Sequence, residues 1–396
     1  MNRLFIIVIT VFITVISCRK TEPSLPADSQ MLDGPVEGLT ASQAQQFLRG
    51  DAAFNDQVFT KETGLGPLFV SASCGSCHAG DGKGHPFTTL TRFGQSDSLG
   101  NTFLASGAPQ LQNRALPGFD PEHIPAGAPF SKFTPPANTG MGFIDAVTDE
   151  DIIAMSDPDD ADGDGISGVP NWITLKSYVV PRVGSINKNG HHIGRFGKKS
   201  GAYDLVQQTA AAYNQDMGIT STYEPFDTYS GQAIDPEISN QTLLDVVFYL
   251  KTLKAPIQRN ANSADVVNGK ALFLQAGCGK CHVSELKTGA SPVAALNYKT
   301  FYPYTDLLLH DMGAGLDDGY TEGNAKTSEW RTPALWGLGL SKNSQGGVYY
   351  LLHDGRANTI EEAILLHGGE ALGSRNKYNA LTAKEKQQLI TFLESL

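Results

Sequence analysis

Apolar residues recur at helical spacing in only a few stretches of this chain, and those stretches come in pairs. Residues 42–49, closed by Gly50, form a short helical run, and residues 241–253 form a second one rich in Leu and Val before Pro256 stops it. The pattern then returns. Ser263 stands as N-cap to a run in which Val267, Ala271 and Leu274 share one face, and Gly277 supplies a left-handed stop. Residues 383–396 close the chain as a helix, with Thr382 and Glu385 as a capping box and Leu389, Phe392, Leu393 and Leu396 as the apolar stripe. The tails of the two closing helices, 247–253 and 390–396, echo one another. Elsewhere the helical signal is modest, best at 202–214, and period-two runs are short and broken by Pro and Gly, as at 173–180. The pattern predicts an all-α chain of two tandem domains, 37–254 and 262–396, the first with long loop insertions over 86–240.

Candidate chemistry sits at the same place in each half. Cys74-Gly75-Ser76-Cys77-His78 precedes the insertions, and Cys278-Gly279-Lys280-Cys281-His282 follows Gly277. Two thiols three residues apart on a turn reach the two vinyl groups of a haem as thioethers, and the adjoining imidazole becomes the proximal iron ligand. A helix, this turn, loops and a closing helix make the layout of a cytochrome c domain. The expectation is two cytochrome c-like domains carrying two covalently bound haem c groups, with His78 and His282 on the irons. Structural zinc fits poorly, since no further Cys or well-spaced His completes four ligands. A thiol–disulfide centre fits poorly too, since each pair carries the trailing histidine and no βαβ pattern surrounds it.

Composition narrows the setting. The 396 residues suffice for two or three domains, and a net charge of −11 argues against nucleic acid while permitting a basic protein partner. Met1-Asn2-Arg3 followed by the apolar run 4–16 reads as a signal peptide over 1–18, too short for a typical membrane span. Val15-Ile16-Ser17-Cys18 resembles a bacterial lipobox, making Cys18 the lipidation site and 19–36 a flexible tether. The expected product is an exported lipoprotein on a periplasm-facing membrane, the outer membrane favoured, held by its lipid alone.

Further stretches carry a family resemblance: 162–168 (DGDGISG) with Pro170-Asn171-Trp172, 194–197 (GRFG), 216–220 (DMGIT), 304–313 (YTDLLLHDMG), Trp330-Arg331-Thr332-Pro333, Leu335-Trp336-Gly337 and His353-Asp354-Gly355-Arg356. Together, from about Phe59 to the C-terminus, they resemble the bacterial di-haem oxidoreductases of peroxidase type, also labelled thiol oxidoreductases. That family is distantly similar to the di-haem cytochrome c peroxidases and to the enzyme that matures methylamine dehydrogenase. The resemblance implies a peroxidase-like activity in which electrons enter at the C-terminal haem and a peroxide reacts at the N-terminal one. It also implies a distal ligand for the second haem from the stretch before Arg331-Thr332-Pro333, with Met312 first, then Tyr320 and His310. Around the first haem it implies an acid/base and an orienting amide from the loops after the first motif: Glu122, with Gln112 or Gln110. His85 and His123 are further residues able to reach that haem's distal side. The relatives carry a tryptophan between their haems, and the stretch after Cys77 offers none. Arg331, His353, Asp354 and Arg356 are expected to support the haem propionates or to hold the groups that ligate the haems.

Asp160, Asp162 and Asp164 alternate ahead of Gly165 as in the first half of a calcium loop, although Asn171 stands where a bidentate acid is expected. The leading expectation is thus a di-haem oxidoreductase reducing hydrogen peroxide with electrons from a small cytochrome c or cupredoxin, with calcium as a further ligand. The alternative is an electron-transfer lipoprotein with both irons six-coordinate.

Overall fold

The computed structural model describes residues 26–94 and 101–396. Two helix crossings organise it. Helix α1 (Ala41–Asp51) begins at Thr40, whose side chain forms a capping box with Gln43. Helix α2 (Leu205–Met217) starts from an Asp204 cap, and α3 (Asn240–Thr252) from a Ser239 cap. In the second half, α4 (Ala264–Gln275) starts from Ser263 and ends before Gly277 at φ +88°. The final helix, α5 (Ala383–Ser395), carries the Thr382–Glu385 capping box and buries Leu389, Phe392 and Leu393. The caps anticipated at Ser263, Gly277 and Thr382 all form, because each satisfies backbone groups that a helix end leaves open.

The crossings are built alike. A Cβ on Gly50 would lie 2.1 Å from the Asp245 carbonyl and 2.6 Å from Tyr249 Cβ, so α1 and α3 meet backbone to backbone. A Cβ on Gly269 would lie 2.0 Å from the Gln388 carbonyl and 2.7 Å from Phe392 Cβ, which brings α4 and α5 together in the same way. Gly50 therefore does not end its helix, as its sequence position suggested. It sits inside α1, which runs on into a π turn over Ala52–Asp56. The inward face of α4 also differs from expectation: Val266, Gly269 and Phe273 are buried, while Val267 and Leu274 are more than half exposed. Rotating the helix to bring Gly269 onto α5 requires this.

The all-α expectation is overturned. Ten short strands pair into five two-stranded antiparallel sheets among the described residues. They include Leu90–Phe93 with Phe130–Phe133, Trp172–Thr174 with His191–Ile193, and Leu309–Asp311 with Glu329–Arg331. The connecting chain is rich in Gly and Pro, and it satisfies its backbone in brief ribbons of two to four residues rather than in helices. One large core gathers Phe47, Phe54, Tyr249 and Leu253 with Ile193, Phe196 and Tyr213, and takes in Leu296, Phe301 and Trp336 from the second half. A smaller core holds Val266, Phe273, Tyr304, Leu389, Phe392 and Leu396. No helix among the described residues is long and apolar enough to cross a membrane. The signal peptide and Cys18 lie outside the described residues.

Candidate haem sites

The first attachment motif is a single helical turn, Cys74–Cys77, whose N-cap Ser73 accepts from the Ser76 amide. His78 follows with its Nδ1 2.9 Å from the Pro136 carbonyl, which fixes the ring and reserves Nε2 for a metal. Phe54 tilts against the imidazole, and burial holds its pKa down at about 4, so the ring is neutral and able to ligate. The second motif repeats this. His282 Nδ1 lies 3.0 Å from the Tyr304 carbonyl, Phe273 tilts against the ring at the same 50°, and burial again brings the pKa to about 4. Burial pushes the Cys74 thiol up to about 12 and the Cys278 thiol to about 11, and none of the four described cysteines is in a disulfide. Protonated, apolar thiols are poor redox dithiols.

The surroundings then diverge. The first motif opens onto a cavity of about 580 Å³, whose wall includes Cys74, Cys77, His78, Gln110, Asp216 and Glu322. Its polar side is one network. Arg92 donates to Gln215 Oε1 at 3.0 Å, to Gln110 Oε1 at 3.4 Å and to Glu322 Oε1 at 3.0 Å, with Nε 3.5 Å from the Tyr320 hydroxyl. Gln110 in turn donates to Asp216 Oδ1. Three cations also gather between the two motifs. Lys83, Lys198 and Arg331 have backbone partners at most and no carboxylate at ion-pair distance among the described residues. Burial, with Arg331 nearby, lowers Lys198 to about 7. Asp354 and Asp306 act on these half-buried cations only from beyond ion-pair distance, which leaves room for further negative charge, so the site suits an apolar ring bearing carboxylates. A haem meets that description: the cavity, the paired thiols, the neutral imidazole and the unmatched cations all fit it.

Several anticipated residues lie elsewhere. Glu122 does not line the cavity. Its carboxylate accepts from the Gln112 backbone amide at 2.6 Å, while Gln112 donates through Nε2 to the Gln215 carbonyl; of the two anticipated glutamines, Gln110 lines the wall and Gln112 does not. His85 stacks on Phe87, and His123 is exposed. Tyr320 is fully buried against Phe133, and Met312 packs on the same cluster. Both ring nitrogens of His310 are engaged, Nε2 by Asp306 at 2.8 Å and Nδ1 by Glu370 at 2.6 Å. Burial opposes its charge, but these carboxylates with Cys281 raise it to about 12, so it is a fixed imidazolium.

Two residues were given no role at the haems by the sequence, His367 because it fits no metal spacing and Trp330 because it reads equally as core. His367 donates from Nδ1 to the Ala363 carbonyl at 2.7 Å, leaving Nε2 open, and lies close enough to His282 for their charges to interact. Its only signal was a position fourteen residues past His353. Trp330 supplies an aromatic between the motifs from the second half of the chain. Its ring stacks on His353 at 3.6 Å and packs on Phe133, which borders the first cavity.

The acidic loop also departs from the expected pattern. Asp157, Asp160 and Asp162 bring ligand atoms within 4.8 Å of one another, whereas Asp164 pairs with Lys280 in the second motif. Asp157 thus takes the place expected for Asp164.

A family model described as "Di-haem oxidoreductase, putative peroxidase" matches residues 133–396. No curated protein matches in sequence. Among solved structures, a MauG-like protein associated with microbial copper homeostasis is similar at 15% identity and a TM-score of 0.42, covering 95% of this chain and 94% of that one. Kuenenia stuttgartiensis hydrazine synthase, solved under xenon, is similar at 14% identity and a TM-score of 0.39, covering 95% and 99%.

Proposed function

Because the chain belongs to the di-haem oxidoreductase family, we propose that it is an exported lipoprotein, anchored through Cys18, that reduces hydrogen peroxide with electrons from a small cytochrome c or cupredoxin. Cys74 and Cys77 hold one haem c and Cys278 and Cys281 the other, with His78 and His282 on the irons. When bound, haem supplies an iron that takes peroxide oxygen and a macrocycle that passes electrons.

The observation that carries this reading is the inequality of the two sites. Gln110, with its amide oriented by Arg92, faces the cavity beside His78 and can hold a small polar oxidant. At the second motif His367 lies near His282 with Nε2 open and could supply a second imidazole to that iron, which would suit a haem that stores and passes an electron. Trp330 and Phe133 bridge the space between, and Lys83, Lys198 and Arg331 neutralise the propionates. Calcium is proposed on Asp157, Asp160 and Asp162, where three carboxylates converge on an exposed loop.

Optical and EPR spectra of the oxidised and half-reduced holoprotein, before and after peroxide, test the reading. One high-spin ferric signal consumed by peroxide is expected. Two low-spin signals in both redox states, unmoved by peroxide, would leave an electron carrier instead.

A further inference from the structure

We infer that Asp216, in the last turn of α2, is the proton-transfer residue of the first haem site, held in place by Gln110 and Arg92. The inference rests on the peroxidase reading and supplies its acid/base. Two carboxylates line the cavity among its described wall residues, Asp216 and Glu322. Glu322 is committed to Arg92 at 3.0 Å. Asp216 uses Oδ1 to accept from Gln110, and no donor among the described residues meets its Oδ2. The amide cannot turn over, since its oxygen faces the Arg92 guanidinium. The backbone is fixed as well: the Asp216 carbonyl accepts from the Val70 amide at 2.7 Å and the Ser71 amide at 3.1 Å, which ties it to the segment leading into Cys74. Its charge reaches both thiols of the motif and helps to raise them.

A structural role explains this placement poorly. An acid in the last turn of a helix meets the negative end of the helix dipole, and a buried one without an ion-pair partner costs stability. Burial lifts its pKa to about 6, against the lowering effects of Gln110 and Arg92. A carboxyl poised there exchanges protons readily near neutrality. The charged groups facing it are Arg92 from the Leu90–Phe93 strand, with Glu322 behind it, and the two thiols of the attachment turn. Burial raises Glu122 as well, but Glu122 is not in the cavity wall and its carboxylate accepts from the Gln112 backbone amide.

The step is a relay. Asp216 takes a proton from one oxygen of hydrogen peroxide and returns it to the other, which leaves as water when the O–O bond breaks. The remaining oxygen leaves as a second water, and the whole conversion is H2O2 + 2 H+ + 2 e− → 2 H2O, with both electrons from the small donor protein.

The test uses the full-length di-haem protein and two probes, hydrogen peroxide and cyanide, which must also lose a proton as it binds ferric haem. In wild type, both association rates measured by stopped flow should rise with pH through an inflection near the pKa of about 6. Asp216→Asn should slow the peroxide reaction about 10²- to 10⁴-fold and remove the inflection from the cyanide profile, leaving both haem spectra and potentials unchanged. Gln110→Leu, which deletes a hydrogen bond that lowers the pKa, should move the inflection upward without abolishing it. If Asp216→Asn stays within about tenfold of wild type and keeps the inflection while Glu122→Gln loses it, Glu122 is the acid/base and the inference is overturned. A wild type that binds neither probe would defeat the peroxidase reading itself, a separate outcome. If Asp216→Asn fails to load haem, the Gln110→Leu profile decides alone, and an unmoved inflection counts against Asp216.

Discussion

The two attachment motifs are held by the same scaffold and surrounded by different chemistry. In each, a glycine lets two helices touch, a phenylalanine tilts on the histidine, and a backbone carbonyl fixes Nδ1. Around the first, the insertion contributes α2, Arg92 and Gln110 and leaves a cavity of about 580 Å³. Around the second, Asp306 and Glu370 clasp His310, and His367 keeps Nε2 open. On the proposed function, attachment would depend on the shared frame and reactivity on what the first half adds to it. The sharpest break of the comparison removes one histidine at a time. His78→Ala should abolish reaction with peroxide while the second haem keeps its low-spin spectrum. His282→Ala should leave cyanide binding at the first haem intact and stop electron delivery from the donor. Equivalent loss of peroxide reaction in single-turnover experiments with the pre-reduced protein would erase the distinction.

His367 tests the second site alone. Replacing it with Met should raise the second haem's reduction potential and leave the first haem's spectrum untouched, because thioether ligation favours the ferrous state. A potentiometric titration checks this, and no change would remove His367 from the iron.

The frame itself is tested at the crossings. Gly50→Ala and Gly269→Ala each force a methyl into a neighbouring backbone carbonyl, and overpacking of this kind costs about 1–3 kcal/mol or more. Both should lower the unfolding temperature by similar amounts. Tolerance of either would mean that the helices can part at that end of the molecule without harm.

Much of this frame was legible in the chain, since capping boxes, left-handed glycines and paired cysteines act through neighbours in sequence. Ser263, Gly277, Thr382 and both histidine motifs belong to that class. Strands of two to four residues were not legible, because so short a run has no measurable period. Gly50 looked like a helix stop because its actual reason, the carbonyl of Asp245, lies 195 positions away. Asp216 and Arg92 are linked only through side chains far apart in sequence, Arg92 to Gln215 and Gln110 and Gln110 to Asp216, whereas Glu122, the acid the sequence pointed to, meets the Gln112 backbone amide. Local physics announces a cofactor; the chemistry beside it comes from residues far apart in sequence.

The homologous helix position also differs in one measurable way. Tyr249 on α3 stands where α5 has Phe392, and its hydroxyl bonds the buried carboxyl of Asp81 at 2.7 Å. Burial raises Asp81 to about 7, above its ordinary value of 3.8. For an acid raised on folding, the stabilising contribution is full below the unfolded value and disappears as pH climbs through the folded one. Wild type should therefore lose stability between about pH 4 and 7 on this account. Asp81→Asn keeps an acceptor for Tyr249 and tolerates the positive φ of 56°. It should be more stable than wild type at pH 8, on the order of 3 kcal/mol, and no better at pH 4. Denaturant titrations at both pH values decide, and a gain at pH 4 alone would reverse the sign.

The smallest effect expected joins the two halves. Lys280 sits inside the second motif and pairs with Asp164, but its side chain is 46% exposed. Solvent screens so exposed a pair, so Lys280→Ala should barely change stability in the absence of calcium. Its effect on the ion is another matter. With Lys280 in place, Asp164 is turned away and three carboxylates remain for calcium. Removing the cation deletes a repulsive charge and frees a fourth carboxylate, and both changes favour a hard dication held by oxygen. Lys280→Ala should therefore bind calcium more tightly than wild type by calorimetry, while Asp160→Asn in either background should weaken it. Equal affinity with and without Lys280 would mean that Asp164 never competes for the ion, and the acidic loop would then act independently of the haem motif beside it.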